Sequence, residues 1–214
     1  MRKLNVAILG ATGMVGQELL DLLVEREFPI EKLTLLSSAR SAGSRVLVGG
    51  KEYAVQEVSA EAFQGIDVAF FAAGGKVSQE WIEPAVAAGS LVIDNTSAFR
   101  LRDDVPLIVP EVNGEEIRNH RGIISNPNCS TIIMAIVLKP ILDQAGIKRV
   151  VVSTYQAVSG AGGRGMDELR RQTEDYVAGR ELEASILPVA NDPKHYPIAF
   201  NVIPQIDSFA HDAY

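Results

Sequence analysis

The residue in this sequence best suited to covalent chemistry is Cys129, in the run Ser125-Asn126-Pro127-Asn128-Cys129-Ser130-Thr131. An almost wholly apolar stretch, Ile132 to Leu138, follows it directly. Asn128 suits the N-cap of a helix starting there, which puts Cys129 in the first turn of a helix expected to be buried. Open amides and the positive end of a helix dipole favour thiolate over thiol, and so favour a nucleophile. A single cysteine beside an apolar helix also fits plain core filling.

A second constellation lies at the start of the chain, where Gly10, Gly13 and Gly16 follow the apolar run Leu4 to Leu9. The spacing G-x-x-G-x-x-G between a strand and a helix is a variant of the dinucleotide fingerprint. It leaves backbone amides and a helix N-terminus bare for a pyrophosphate. An acid about 20 residues further on would select NAD by holding its ribose 2′-hydroxyl. None stands there. Ser37-Ser38-Ala39-Arg40-Ser41-Ala42-Gly43 offers hydroxyls and a guanidinium where a 2′-phosphate would sit, so NADP is the cofactor expected, with Ser37, Arg40 and Ser41 at the phosphate. The other reading of this stretch is a solvated polar loop. Gly74-Gly75 ends a further apolar run, Val68 to Phe71, where small residues would let a cofactor pass close by.

These groups need a scaffold that brings strand ends together. Apolar runs at Leu4 to Leu9, Leu33 to Leu36, Val68 to Phe71 and Leu91 to Ile93 alternate with helical patterns. One such pattern has Val15, Leu19, Leu22 and Leu23 on one face, and another spans Trp81 to Ala88. The alternation predicts α/β architecture with a Rossmann-type parallel sheet, whose ligands lie beyond the carboxyl ends of the strands. Gly49-Gly50, between two short polar strands, reads as a hairpin turn. A further strand is expected over Arg149 to Gln156.

At 214 residues, 47% of them apolar, the chain has ample length for a buried core. A net charge of -7 argues against a nucleic-acid or anionic-membrane partner. One cysteine precludes an internal disulfide and suits a reducing compartment. With no signal-peptide core at the N-terminus, a cytoplasmic location is expected. No metal-ligand motif is apparent.

Taken together, Gly10-Ala-Thr-Gly-Met-Val-Gly16, Asp94-Asn-Thr-Ser-Ala-Phe-Arg100, Pro110-Glu-Val-Asn113, Ser125 to Thr131, Gln156-Ala-Val-Ser-Gly-Ala-Gly-Gly163 and Asn201-Val-Ile-Pro-Gln-Ile-Asp207 resemble the bacterial aspartate-β-semialdehyde dehydrogenases over the length of the chain. The related N-acetylglutamyl-phosphate reductases would have glycine and an aromatic residue flanking the cysteine, whereas Asn128 and Ser130 stand here. The resemblance implies reductive dephosphorylation of β-aspartyl phosphate to aspartate semialdehyde, with NADPH as reductant, on the route to lysine, methionine and threonine. It also implies a homodimer or tetramer.

By the same resemblance Cys129 forms a thioester, Arg100 binds phosphate, Asn128 lies in the substrate site and Gln156 orients the substrate. Thr12, Gly13, Met14 and Val15, with Arg40 and Ser41, match cofactor phosphate contacts, while Ser159 and Gly160 match positions near the nicotinamide. A surface ion pair of Arg100 with Asp103 or Asp104 is the alternative reading of that arginine. The expected domains are 1–128 for NADP and 129–214 for an incomplete α+β catalytic and dimerisation domain. The active-site histidine and the carboxylate-binding arginine of the family are expected beyond Tyr214, so little activity is expected of these residues alone. A binding-only dinucleotide module is the other class considered. His195 is not assigned as a base, and His120 is read as exposed surface.

Overall fold

The computed structural model describes residues 2–188 and 194–205. Contacts divide the chain into two units, Met1–Ser153 and Thr154–Tyr214.

In the first unit, β1 (Leu4–Leu9) lies near the middle of a seven-stranded sheet. Its last four residues are each 1% exposed or less. A strand buried on both faces needs a continuous apolar run, and that is what this stretch supplies. Val6 and Ile8 face α1 (Met14–Glu25) through Leu20 and Leu23, while Ala7 and Leu9 share a core with Ile82 and Ala85 of α2 (Gly75–Ala87). The side-chain alternation of a strand thereby produces a layer of helix on each face.

The sheet order is β3-β4-β2-β1-β5-β6-β7, where β2 is Ile30–Ser37, β3 Arg45–Val48, β4 Lys51–Glu57, β5 Val68–Phe71, β6 Leu91–Asp94 and β7 Ile123–Ser125. All neighbours are parallel except β3 and β4, which form the expected antiparallel hairpin. Gly49 and Gly50 turn it with φ of 55° and 81°, the paired positive values a two-residue type I′ turn demands. After β1 the chain builds outward to one side through β2, then returns to add β5 on the other. The carboxyl ends of β1 and β5 therefore form a topological switch point, where such sheets bind ligands. A short helix, α3 (Pro110–Asn113), precedes β7, and α4 (Cys129–Ala145) follows it.

Three expectations change. The buried stripe of α1 is Gly16, Leu20 and Leu23, and Val15 is 49% exposed. The first turn ends at the glycine loop, so its inward contact is made by a glycine rather than a valine. Helix α4 begins where predicted but buries no residue, leaving Ile133 68% and Val137 60% exposed. Apolar composition marks a helix that wants covering, and among the described residues its side chains are at best partly covered. Residues 149–156 form no strand, since no described strand offers the ladder of partners that strand geometry requires.

The second unit is organised by α5 (Gly162–Val177), which buries two polar residues, Glu168 and Gln172, beside the buried Ile186 and Ala199. Gln172 donates to Glu183 O at 2.7 Å and accepts from the amides of Ile198 and Ala199 at 2.7 and 3.0 Å. One turn earlier, Glu168 accepts from the Ser185 amide at 3.0 Å. Among the described residues, no helix is long and apolar enough to cross a membrane.

Candidate functional site

The glycine loop is shaped first by its own backbone. Gly10 has φ +96°, and a Cβ there would lie 2.8 Å from the Ala72 carbonyl carbon and the Ala73 amide at the end of β5. At Gly16 a Cβ would meet Gly10 O at 2.2 Å. Both glycines are fixed by this crossing of β1, β5 and α1, whatever ligand binds. At Gly13, the N-cap of α1, a Cβ would come within 3.3 Å of Gly10 O. Gly10 O accepts from the Gly13 amide, and Gly13 O accepts from Gln17. Met14 and Val15, both exposed, precede the first intrahelical bond, so their amides point out of the helix end. With Thr12 exposed beside them and exposed Gly74 at the N-cap of α2, this cradle fits a dinucleotide pyrophosphate.

At the end of β2, Ser37 is 4% exposed and donates its hydroxyl to Ser38 O at 3.1 Å. The exposed serine directly after the strand is Ser38. Arg40 is exposed and has no acidic partner among the described residues. The Ser41 amide closes the turn onto Ser38 O at 3.0 Å.

The loop after β6 is built on a carboxylate. Asp94 is fully buried, and its Oδ1 accepts from Ser78 Oγ at 3.0 Å and from the Thr96 amide at 3.1 Å. Its Oδ2 accepts from Thr96 Oγ1 at 3.0 Å. This curls residues 95–100 back over the sheet end and anchors them to α2. Arg100, at the far end of the loop, donates from Nε to Asn126 O at 2.9 Å and from Nη2 to Asn95 O at 3.3 Å. Of its two alternative partners, Asp104 pairs instead with Arg102, which also reaches Glu83, and no ion pair of Arg100 is present among the described residues. The two bonds from Arg102 hold the Asp104 carboxyl below the usual carboxylate range. Arg100 thus keeps three of its five N–H donors clear of those two carbonyls.

Asn126 begins the step into α4. Asn128 caps that helix, accepting from the Ser130 amide at 3.0 Å. Cys129 is the first helical residue, exposed, with Sγ 3.8 Å from Asn128 Oδ1. The expected cap is present, and the thiol faces outward instead of filling a core. Arg100 and the Cys129 loop, 26 residues apart in sequence at their point of contact, are joined through Asn126.

In the second unit, Gly160 and Gln156 are in close contact, since a Cβ on Gly160 would lie 2.0 Å from Gln156 Nε2. Ser159 and Gly160 form a short 3-10 turn leading into α5. His120 is exposed and accepts from the Gly122 amide through Nδ1 at 3.1 Å. His195 is half-buried, and His211 and Asp207 lie outside the described residues. No cluster of three or more His, Cys, Asp or Glu able to hold a metal occurs among the described residues.

Comparison with known proteins gives this arrangement a family. Residues 5–120 match the model for the semialdehyde dehydrogenase NAD binding domain, and residues 138–214 match that for the semialdehyde dehydrogenase dimerisation domain. The aspartate-semialdehyde dehydrogenase of Bacillus subtilis is 54% identical over 213 residues, covering 100% of this chain and 62% of its own length. The crystal structure of aspartate semialdehyde dehydrogenase II from Vibrio cholerae complexed with ASA superposes with a TM-score of 0.92 at 48% identity, covering 100% of this chain and 62% of that one. That of the Candida albicans enzyme with NADP superposes with a TM-score of 0.59 at 31% identity, covering 67% and 48%. The chain belongs to the semialdehyde dehydrogenase family, with a nicotinamide-dinucleotide-binding domain at its N-terminal end, and spans about three fifths of the length of the curated relatives it matches.

Proposed function

We propose that this member of the semialdehyde dehydrogenase family carries the cofactor site and the nucleophile of an NADP-dependent aspartate-semialdehyde dehydrogenase. The reaction converts β-aspartyl phosphate to aspartate semialdehyde and phosphate, reversibly. The observation that carries this reading is the exposed Cys129 at the start of α4, with Arg100 bonded to the same loop.

In the forward direction the Cys129 thiolate attacks the acyl carbon. The bond from that carbon to the phosphate oxygen breaks, and a thioester forms. Arg100 takes the departing phosphate on its remaining N–H donors, whose fork matches two phosphate oxygens at once. The side chain of Asn128 caps the helix, which keeps the sulfur at the positive helix end. Gln156 orients the acyl group, and Gly160 leaves room for its amide. When bound, the nicotinamide supplies the hydride that reduces the thioester.

Thr12, Gly13, Met14 and Val15 hold the pyrophosphate. Gly10 and Gly16 keep that loop tight, and Gly74 opens the neighbouring strand end. Arg40 and Ser41, with Ser37 shaping the turn, select the 2′-phosphate of NADP, while Ser159 and Gly160 border the nicotinamide. The Candida albicans structure with NADP supports this choice of cofactor. The same reading takes residues 1–128 as the cofactor domain and 129–214 as part of the catalytic and dimerisation domain. It carries assembly as a homodimer or tetramer and a place in cytoplasmic lysine, methionine and threonine synthesis.

The test is phosphate-dependent reduction of NADP by aspartate semialdehyde, in a chain with the length of its relatives. Cys129→Ala should abolish turnover and leave NADPH affinity within about twofold, because the thiol acts on the acyl carbon and not on the cofactor. Near-normal turnover in that variant would return Cys129 to an ordinary surface thiol.

A further inference from the structure

A phosphate-binding arginine is useful only if its position relative to the nucleophile is set. Arg100 has four side-chain torsions, so its head needs an anchor of its own. What holds its head is a closed ring of hydrogen bonds made with two asparagines. Arg100 Nε donates to Asn126 O at 2.9 Å, Asn126 Nδ2 donates to Asn95 Oδ1 at 2.7 Å, and Asn95 O accepts from Arg100 Nη2 at 3.3 Å. The Asn126 amide also donates to Asp94 O at 3.2 Å, tying the same residue to the end of β6.

Asn126 therefore spends its amide, its carbonyl and its side-chain NH2 on the segment that ends in Arg100. Its Oδ1 is buried with no donor among the described residues. A residue present only to fill space would not bring a buried unpaired oxygen with it, so the amide group is retained for the bond to Asn95. The next residue is buried Pro127, whose ring fixes φ, and then comes the N-cap Asn128. The path from Asn126 to Cys129 is thus three residues long and stiff. Whatever fixes Arg100 to Asn126 fixes it to the thiol.

We propose that Asn126, together with Asn95, is a positioning residue. The pair sets the Arg100 guanidinium against Cys129, so that the phosphate of an acyl phosphate is held while the sulfur attacks. This rests on the reading given above, in which Arg100 binds phosphate and Cys129 is the nucleophile.

The chain has one cysteine, so alkylation reports on Cys129 alone. The measurement is the ratio of its alkylation rates with anionic iodoacetate and neutral iodoacetamide, and the slowing of the iodoacetamide reaction by inorganic phosphate. A guanidinium held near the sulfur raises the ratio. Arg100→Ala should lower it about threefold, the size of one solvent-exposed charge interaction, and remove the phosphate protection. Asn126→Ala and Asn95→Ala should each lower the ratio about twofold and weaken the protection. The double variant should do no more than either single one, because both break one link. On an Arg100→Ala background neither should change anything.

If both asparagine variants keep the wild-type ratio and protection while Arg100→Ala loses them, the pair is structural only and the inference falls, leaving the function proposed above intact. If Arg100→Ala itself keeps both, Arg100 does not face Cys129, and that function falls together with the inference. Should Asn126→Ala fail to fold by circular dichroism, Asn95→Ala decides the question, since that side chain is exposed.

Discussion

Gly16→Ala sets two effects of opposite sign against each other. Gly16 sits inside α1, where alanine is intrinsically better than glycine by about 1 kcal/mol. If the helix were all that mattered, the variant would be more stable. The new Cβ, however, would stand 2.2 Å from Gly10 O and 2.9 Å from both Ala11 Cα and Gly10 C. An ordinary contact of ~3.4 Å demands that the helix start retreat from the loop by ~1.2 Å, and close-packed interiors resist that. Overpacking costs about 1–3 kcal/mol, and a backbone obstacle puts this case at the upper end. Gly10 O cannot simply rotate away, because it accepts the Gly13 amide at 2.9 Å. The net expectation is destabilisation by about 2 kcal/mol, a minor share of the roughly 5–15 kcal/mol of a typical domain, so the variant still folds. Its cofactor site does not survive as well. The retreat carries the amides of Met14 and Val15 with it, and hydrogen bonds to charged groups are worth about 1.5–3 kcal/mol each. NADPH affinity should therefore fall about ten- to a hundredfold. Urea denaturation gives the first quantity and fluorescence titration with NADPH the second, both on the chain as it stands. A variant as stable as wild type or more so, binding NADPH within twofold, would show that the close approach at Gly10 O is not why glycine occupies this position.

Three further outcomes follow from the geometry. Arg40→Ala should weaken NADPH binding about tenfold and leave NADH binding unchanged, since the guanidinium is expected to meet the 2′-phosphate alone; parallel titrations of the two cofactors decide it. Gly160→Ala brings a Cβ within 2.0 Å of Gln156 Nε2, the far end of a flexible side chain. The melting temperature should stay close to wild type, while kcat for phosphate-dependent oxidation of aspartate semialdehyde falls at least tenfold. Asp104 should titrate below the usual carboxylate range by NMR, and Arg102→Ala should raise its midpoint. A depressed carboxylate contributes stability above its unfolded pKa and loses it as pH falls through the folded one. Both partners are substantially exposed, so wild type and Arg102→Ala should differ little in stability at neutral pH and converge in strong acid.

The parts of this molecule legible in its sequence obey local rules. Strand β1 announces itself because its last four residues, buried on both faces, are an unbroken apolar run. The hairpin at Gly49-Gly50 needs two positive φ values, and the cap at Asn128 needs a side-chain acceptor two residues before the amide it binds. What composition could not show is what lies across a gap in sequence. Helix α4 is apolar enough to look buried, yet none of its residues is buried and Ile133 and Val137 stay mostly exposed, because burial depends on a neighbour and not on the helix itself. Strand β7 is three residues long, too short for a pattern, and exists through its pairing with β6.

The glycine loop and Arg100 show the same division at the site itself. Glycines at 10, 13 and 16 read as an opening for a pyrophosphate. In the structure two of them are first required by contacts with the chain's own backbone, and the ligand inherits a cradle that folding has already made. The alternative reading of Arg100 is an ion pair with Asp103 or Asp104, and Asp104 does form such a pair, with Arg102 in the role. Arg100 is released by that competition to bond backbone carbonyls on two different loops. One of its partners, Asn126, is paired with it only because β6 and β7 run parallel and end together. The geometry on which the chemistry depends is therefore written in the strand order, and Asp94, Asn95 and Asn126, which transmit it, lie inside the motifs quoted for the family although nothing local in the sequence gives them that role.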